Sequence, residues 1–284
     1  MTEDHANLTT SAACTGSDGA VLRHLRRAAR GSNAGSVVFL PSLFFGSTMF
    51  AQVIAAMPGD RNLVCVDHRG QGRSESGSTA PTIRQLAEDT AKLIETLDGG
   101  PVHVVGSSMG GYVALELLDS RPELVRSCML SCCTAEKEQE PERFAVLEAS
   151  LRQKGAGAMV DGLVATMFGA RFLERAGPAL AHWQSHLAGL DARIPDAVHE
   201  VFARRSFVEM LPAIRTPLLL VSGALDRAKK PADMQFIANR VPGSRHVVFG
   251  KSGHTPPIEE PERFASELTH FLSSLPAREF ILQR

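Results

Sequence analysis

The sequence predicts an α/β fold in which a mostly parallel, doubly wound sheet is interrupted by a helical insertion. Short apolar runs, each of strand length, alternate with segments of helical periodicity near both ends of the chain. The strands of a parallel sheet are covered on both faces, so they are apolar throughout instead of alternating in polarity. Over residues 134–215 several helical patterns follow one another without a comparable apolar run, which predicts the insertion.

Each element is predicted from its own pattern. An extended segment begins at Val21, and solid apolar runs predict further strands, whereas apolar residues returning to one face predict helices. The predicted strands are 37–40, 63–66, 102–105, 125–130, 218–221 and 245–249, and the predicted helices flanking the insertion are 82–97, 109–120, 231–240 and 259–275.

These elements divide the chain into one core and one insertion. Residues 20–133 and 216–276 are expected to form the core, and residues 134–215 a helical cap. A length of 284 residues suits one α/β core carrying an insertion. The polar segment 1–19 is expected to be a disordered tail, and residues 277–284 a C-terminal tail.

Composition and charge exclude several classes of partner. A net charge of −1 gives no field that would gather phosphates or anionic lipids, so nucleic acid and membrane partners are not expected. The N-terminal segment lacks the basic start and apolar run of a signal peptide, and no apolar run approaches the roughly 18 residues of a membrane span. Five cysteines without a disulfide or zinc-site spacing favour a reducing cytoplasm. A small-molecule substrate is the expected partner, and the oligomeric state stays open.

The strongest local motif is G-x-S-x-G at 106–110, which directly follows a predicted strand and opens a predicted helix. A serine on such a sharp turn exposes its hydroxyl, and glycines are needed where the backbone is crowded. Ser108 is therefore the candidate nucleophile. The N–H of Met109, at the positive end of the following helix, is a candidate donor to a developing oxyanion.

A serine nucleophile needs a base and a group that orients the base. His254 is the candidate base, because it lies in a loop after the last predicted strand, where it can reach the same sheet edge as Ser108. Asp226 follows the strand 218–221 and is the candidate acid. Glu136 follows the strand 125–130 and remains a competing acid.

These motifs together resemble the α/β-hydrolase superfamily over about residues 21–275, including its chain order of nucleophile, acid and histidine. The stretch 67–74 resembles the D-x-R-G-x-G-x-S turn of that family, which is structural. The resemblance implies an oxyanion loop after strand 37–40, where Pro-Ser-Leu-Phe-Phe-Gly replaces the frequent His-Gly and the N–H of Leu43 is the second expected donor. The Ser-Leu pair, and more loosely 151–168 and 217–242, resembles the 3-oxoadipate enol-lactonase branch.

Other residues bear on the pocket and on metals. Phe44, Phe168 and Phe172 are candidates for an apolar substrate pocket, with cap-to-core packing as an equal alternative. His182 and His186 lie four residues apart, but no third ligand is placed, and a solvated face of the cap is the better interpretation. No metal site is predicted, and the expected chemistry requires neither a metal nor an organic cofactor.

The resulting hypothesis is hydrolysis of a small carboxylic ester, lactone or enol-lactone through an acyl-enzyme on Ser108. Hydrolysis of a C–C bond in a β-diketone or ring-cleavage product is the enzymatic alternative, since the same triad can perform it. A hydrolase-like binding protein without turnover is the alternative of another class. Serine at the nucleophile position argues against dehalogenase and epoxide hydrolase chemistry, which uses aspartate in this superfamily.

Overall fold

The apolar runs of the sequence form one sheet. A computed structural model describes residues 10–16, 18–31, 34–78, 81–97, 100–175 and 177–276, and these include eight strands. The strands are β1 (Thr10–Thr15), β2 (Val21–Arg27), β3 (Ser36–Leu40), β4 (Asn62–Val66), β5 (Val102–Ser107), β6 (Val125–Ser131), β7 (Leu218–Gly223) and β8 (Arg245–Phe249).

The sheet is mostly parallel, as the sequence predicts. Its strand order is β1-β2-β4-β3-β5-β6-β7-β8, and β3 to β8 pair in parallel. The strands β1 and β2 pair antiparallel with each other, and β2 pairs antiparallel with β4. The central strands β3, β5 and β7 are buried along their full length, which explains their unbroken apolar character. Their carboxyl ends lie at one edge of the sheet, where the loops that carry chemistry begin.

The expectation of a disordered tail over 1–19 is wrong for residues 10–15, which form β1. The side chains of residues 11–15 alternate between exposed and half-buried positions, and the strand pairs with β2 through backbone contacts. Because an edge strand of small residues is stabilised mainly by its main chain, its side chains leave no apolar pattern to detect. Residues 1–9 and the expected C-terminal tail 277–284 lie outside the described residues.

Helices cover the sheet and fill the long connection between β6 and β7. Thr82 caps the helix α2 (Ile83–Glu95), because its hydroxyl accepts the Gln85 N–H at 3.1 Å. The helices are α1 (Ala51–Ala56), α2 (Ile83–Glu95), α3 (Met109–Ser120), α4 (Pro141–Lys154), α5 (Val160–Met167), α6 (Ala170–Arg175), α7 (Pro178–Ala188), α8 (Ile194–Ala203), α9 (Pro231–Ala238), α10 (Pro256–Glu259) and α11 (Pro261–Ser274).

The segment 134–215, expected to be helical, carries α4 to α8 and contains no strand within its described residues. It packs internally through aromatic pairs such as Phe144 and Phe202, whose ring centroids are 5.9 Å apart. It also contacts the core, since the Thr255 hydroxyl donates to the Met167 carbonyl at 3.1 Å. Nowhere in the described ranges is a helix both long enough and apolar enough to cross a bilayer.

Candidate active site

Ser108 lies between the end of β5 and the first residue of α3, in a backbone conformation that is unusual for serine. Its φ is +49° and its ψ is −108°. The turn is held by the Ser108 N–H, which donates to the Ser131 carbonyl at 2.8 Å. A Cβ at Gly110 would collide with the Leu40 carbonyl, and one at Gly106 with the Gly110 carbonyl. The two flanking glycines therefore permit the close approach of helix and strands that forms the turn.

His254 and Asp226 meet Ser108 in a hydrogen-bonded chain. The Nε2 atom of His254 lies 2.9 Å from the Ser108 Oγ, and its Nδ1 atom lies 2.8 Å from an Asp226 carboxylate oxygen. A carboxylate only accepts, so the Nδ1–H donates to Asp226 and Nε2 is left to accept the serine proton. Ser108, Asp226 and His254 expose only 7%, 8% and 3% of their surfaces. This geometry suits removal of the hydroxyl proton during nucleophilic attack.

The carboxylate bonded to the histidine belongs to Asp226 and not to Glu136. The second oxygen of Asp226 accepts the backbone N–H groups of Ala228 and Lys229 at 2.7 and 2.9 Å. These bonds orient the carboxylate toward His254. Glu136 instead lies in a cavity wall, where its carbonyl accepts from Arg204 at 3.0 Å.

The two expected oxyanion donors lie at the start of α3 and in the loop after β3. Among the described residues, the N–H groups of Leu43 and Met109 have no hydrogen-bond acceptor, and both residues line or adjoin the cavity at Ser108. The neighbouring Phe44 has a φ of +75°, and the Gln71 side chain accepts its N–H at 2.9 Å. This strained turn fixes the direction of the adjoining peptide groups.

His186 takes part in this arrangement and does not lie on a solvated face of the insertion, which corrects the interpretation from sequence. Its Nε2–H donates to the Phe44 carbonyl at 2.8 Å, and its ring stacks on Phe45 with centroids 5.8 Å apart. Burial lowers the pKa of His186, partly opposed by the bond to Phe44. The sequence offered no signal for this contact, since 142 residues separate the partners.

Glu259 is a further residue that the motifs did not identify. Its carboxylate accepts the N–H groups of Gly253 and Thr255 at 2.9 and 3.1 Å, on either side of His254. It also accepts the Gly169 N–H at 2.8 Å. One half-buried carboxylate therefore connects the histidine loop to the turn between α5 and α6.

A cavity of about 750 Å³ opens at Ser108 and His254. Phe44 lines it, and the insertion contributes apolar residues to its wall. Phe168 and Phe172 are not among its lining residues, because their rings stack on each other at 4.8 Å and Phe168 packs against Phe45. The apolar lining residues from the insertion are Phe144, Leu147, Met159, Leu163, Met167 and Val201.

One group of possible metal ligands occurs among the described residues. The donor atoms of Cys132, Asp226 and His254 lie within 4.8 Å of one another. Burial, followed by the charge of Asp226, raises the pKa of the Cys132 thiol well above its ordinary value. A metal needs the thiolate, and the other two ligand atoms are already bonded to each other, so this group does not fit a metal centre.

A family model described as the alpha/beta hydrolase family matches residues 37–267, which are most of the chain. The chain belongs to this family. The α/β-hydrolase fold and the hydrolase class predicted from sequence are thereby confirmed, and this chain is a hydrolase.

Two curated relatives and a solved structure illustrate the range of this hydrolase family. A Pseudomonas savastanoi pv. phaseolicola protein provisionally named carbamate hydrolase RutD is 27% identical over 86% of this chain and 95% of its own. The 3-oxoadipate enol-lactonase 1 of Acinetobacter baylyi is 26% identical over 86% of this chain and 90% of its own. The enol-lactonase structure from Burkholderia xenovorans LB400 has a TM-score of 0.86 at 26% identity, covering 93% of this chain and 100% of that one. The predicted resemblance to the enol-lactonase branch is consistent with these relatives.

Proposed function

We propose that this hydrolase cleaves a small carboxylic ester, lactone or enol-lactone through an acyl-enzyme on Ser108. The observation that carries the proposal is the chain of two hydrogen bonds, at 2.9 and 2.8 Å, from Ser108 through His254 to Asp226. In it Ser108 is the nucleophile, His254 the general base and Asp226 the acid that orients the imidazole.

The proposed reaction has two acyl transfers. The Ser108 oxygen bonds to the carbonyl carbon while His254 takes its proton, and the N–H groups of Leu43 and Met109 donate to the oxyanion. Collapse breaks the bond to the leaving oxygen, which receives the proton from His254. Water then loses a proton to His254, attacks the acyl carbon and releases the carboxylic acid, restoring Ser108.

The names of the relatives support a substrate whose carbonyl carbon is bonded to oxygen or nitrogen. Lactone and carbamate hydrolysis, named for two of them, both begin with attack on a carbonyl carbon bonded to oxygen or nitrogen. Hydrolysis of a C–C bond remains the alternative, because the same three side chains can perform it. A panel of esters, lactones and β-diketone or ring-cleavage products separates the two reactions by which members are turned over.

The test of the nucleophile is Ser108→Ala. We expect turnover of 4-nitrophenyl acetate and butyrate to fall by about a million-fold, since losing the nucleophile of a comparable triad has that effect. Circular dichroism should be unchanged, because the substitution removes one oxygen. A fluorophosphonate probe should label the wild-type protein on the peptide containing Ser108. Wild-type turnover by the purified variant, or labelling at another residue, would contradict the proposal.

A further inference from the structure

A second polar cluster lies in the wall of the catalytic cavity and takes no part in the proposed reaction. The Lys229 ammonium donates to a Glu138 carboxylate oxygen at 3.0 Å, and the Arg204 guanidinium lies 3.6 Å from the same oxygen. The Arg204 guanidinium also stacks 4.0 Å above the Tyr112 ring. Tyr112, Glu138 and Lys229 all line the cavity, with Arg204 behind the tyrosine ring. We call these four residues the Tyr112 cluster.

The Tyr112 cluster has an excess of positive charge. Burial alone would lower the pKa of Lys229, but the ammonium is bonded to the Glu138 carboxylate and its pKa is raised overall, so it stays charged. The bond from Lys229 holds the pKa of Glu138 below its ordinary value in spite of burial. Two cations, Arg204 and Lys229, therefore face one anion.

The cluster also has donors without acceptors. The Tyr112 side chain is fully buried from solvent, and its hydroxyl has no hydrogen-bond partner among the described residues. The same holds for the Nε atom of Arg204. Burial raises the pKa of Tyr112 despite the two nearby cations, so its hydroxyl keeps the proton that it can donate. Buried polar groups are nearly always paired, so an unpaired one that lines a cavity needs an explanation.

Tyr112 is one helical turn from the nucleophile. Its N–H donates to the Ser108 carbonyl at 3.1 Å within the first turn of α3. Ser108 precedes the first helical residue and has a non-helical backbone, and both the tyrosine and the nucleophile line the same cavity. A molecule occupying the cavity at Ser108 can therefore contact both residues.

We propose that the Tyr112 cluster is an anion subsite, and that this hydrolase acts on esters or lactones that carry a second, anionic acid group. The inference deepens the proposed function and rests on it for the reaction at Ser108. The Tyr112 hydroxyl donates to the substrate carboxylate, and the Lys229 ammonium, already held by Glu138, supplies charge. Arg204 is a positioning residue that orients the tyrosine ring and adds to the positive potential.

The test compares two pairs of substrates, and the members of each pair differ only in charge at the far end. These are the 4-nitrophenyl monoesters of adipic and suberic acid, and the same compounds with the free acid capped as a methyl ester. We expect wild-type kcat/KM to be higher for the acid than for its capped form. Tyr112→Phe and Lys229→Met should each lower this ratio by about tenfold, the effect of losing one charge-assisted hydrogen bond. Lys230→Met is the matched control, since it removes a cavity-lining charge outside the cluster, and its ratio should stay near the wild-type value.

The possible outcomes distinguish failure of the proposed subsite from failure of the proposed reaction at Ser108. The subsite would be overturned if the wild-type protein preferred the capped esters. It would also be overturned if the variants lowered kcat/KM equally for the acid and for its capped form. Either result would leave the chemistry at Ser108 intact. If Ser108 neither reacts with a fluorophosphonate nor cleaves any ester, the proposed function fails. The subsite is then judged by calorimetric titration with adipate and suberate, which requires no turnover. Binding that Tyr112→Phe weakens about tenfold supports it, and absence of binding to the wild-type protein overturns it.

Discussion

At the scale of single residues, two residues of the site have strained backbones that nearby hydrogen bonds hold in place. Ser108 has a left-handed φ of +49°, and Phe44 in the facing loop has one of +75°. Such conformations cost about 1–3 kcal/mol each and persist only where the surrounding structure enforces them. Here the enforcement comes from specific bonds, including those of Phe44 to Gln71 and His186. The strained residues are therefore held at the point where the carbonyl of a substrate would react.

Asp226→Asn tests the role of the carboxylate. We expect kcat to fall by about four orders of magnitude, because an amide favours the wrong imidazole tautomer and cannot stabilise an imidazolium. Glu136→Gln is the matched control, since Glu136 lines the same cavity without a bond to His254. Steady-state kinetics on 4-nitrophenyl butyrate measures both. If Glu136→Gln lowered kcat more than Asp226→Asn did, the acid of the triad would be Glu136, which follows β6, and not Asp226.

His186→Ala tests whether the insertion orients the oxyanion loop. Removing the imidazole leaves the Phe44 carbonyl without its donor, so the adjoining Leu43 N–H should be less well aligned. We expect kcat to fall by about tenfold with a smaller change in KM, less than the loss of an oxyanion donor itself.

Two further variants separate positioning by His186 from general damage to α7. His186→Gln can return an N–H near the position of Nε2 and should recover part of kcat. His182→Ala removes an exposed imidazole from the same helix and should leave kcat unchanged. Equal losses in His182→Ala and His186→Ala, or no recovery with glutamine, would rule out the positioning role.

At the scale of elements, a buried ion pair joins the turn after β4 to the helix α2. The Arg69 side chain is fully buried, and it donates to both carboxylate oxygens of Asp89 at 2.9 and 3.0 Å. It also pairs with Asp18 at 2.6 Å, beside the start of β2. Desolvation offsets much of the attraction in such pairs, yet removal of one partner leaves a buried charge uncompensated.

Arg69→Met should therefore lower the free energy of unfolding by about 3 kcal/mol, because the cation is lost beside buried Asp89. Urea denaturation followed by circular dichroism measures the change. Arg84→Met is the control, since Arg84 is 79% exposed in its pair with Glu88 and such pairs contribute about 0.5 kcal/mol or less. Equal effects in the two variants would show that the buried pair adds no more than a surface pair.

At the scale of the whole molecule, the turns that follow strands of the sheet carry Ser108, Asp226 and His254, and the segment 134–215 supplies much of the cavity wall. Leu147 of α4 and Leu163 of α5 both line the cavity. We propose that this segment is a cap that selects substrates without contributing a member of the triad. Specificity in an apolar pocket depends on shape, and one methylene changes transition-state binding by about 1–3 kcal/mol.

Leu147→Ala and Leu163→Ala should shift the preference in a 4-nitrophenyl ester series toward longer acyl chains, because they enlarge the cavity. Relative kcat/KM across the series measures the shift, and fluorophosphonate labelling of Ser108 should persist. Phe172→Ala is the control, as Phe172 stacks on Phe168 outside the cavity lining. A uniform fall across the series in the leucine variants would contradict the selective role of the cap.

Much of the fold could be predicted because buried parallel strands appear in the sequence as short apolar runs. The apolar runs at 37–40, 102–105 and 218–221 fall within the strands β3, β5 and β7. The edge strand β1 has no such apolar run, since its residues are small and its pairing uses the main chain. Periodicity reports side-chain burial, so it detects the covered centre of a sheet better than its edge.

The sequence by itself determined the fold class, the candidate nucleophile on its glycine-flanked turn, and the order in which acid and histidine follow. These features are local, because a strand-turn-helix motif and a loop after a strand can be recognised from adjacent residues. Only the tertiary structure decided that Asp226 and not Glu136 reaches His254, that His186 bonds to the Phe44 carbonyl, and that the Tyr112 hydroxyl has no hydrogen-bond partner within the described part of the chain. The physical reason is that hydrogen bonds and charge balance depend on distances between residues far apart in the chain, which no local pattern encodes.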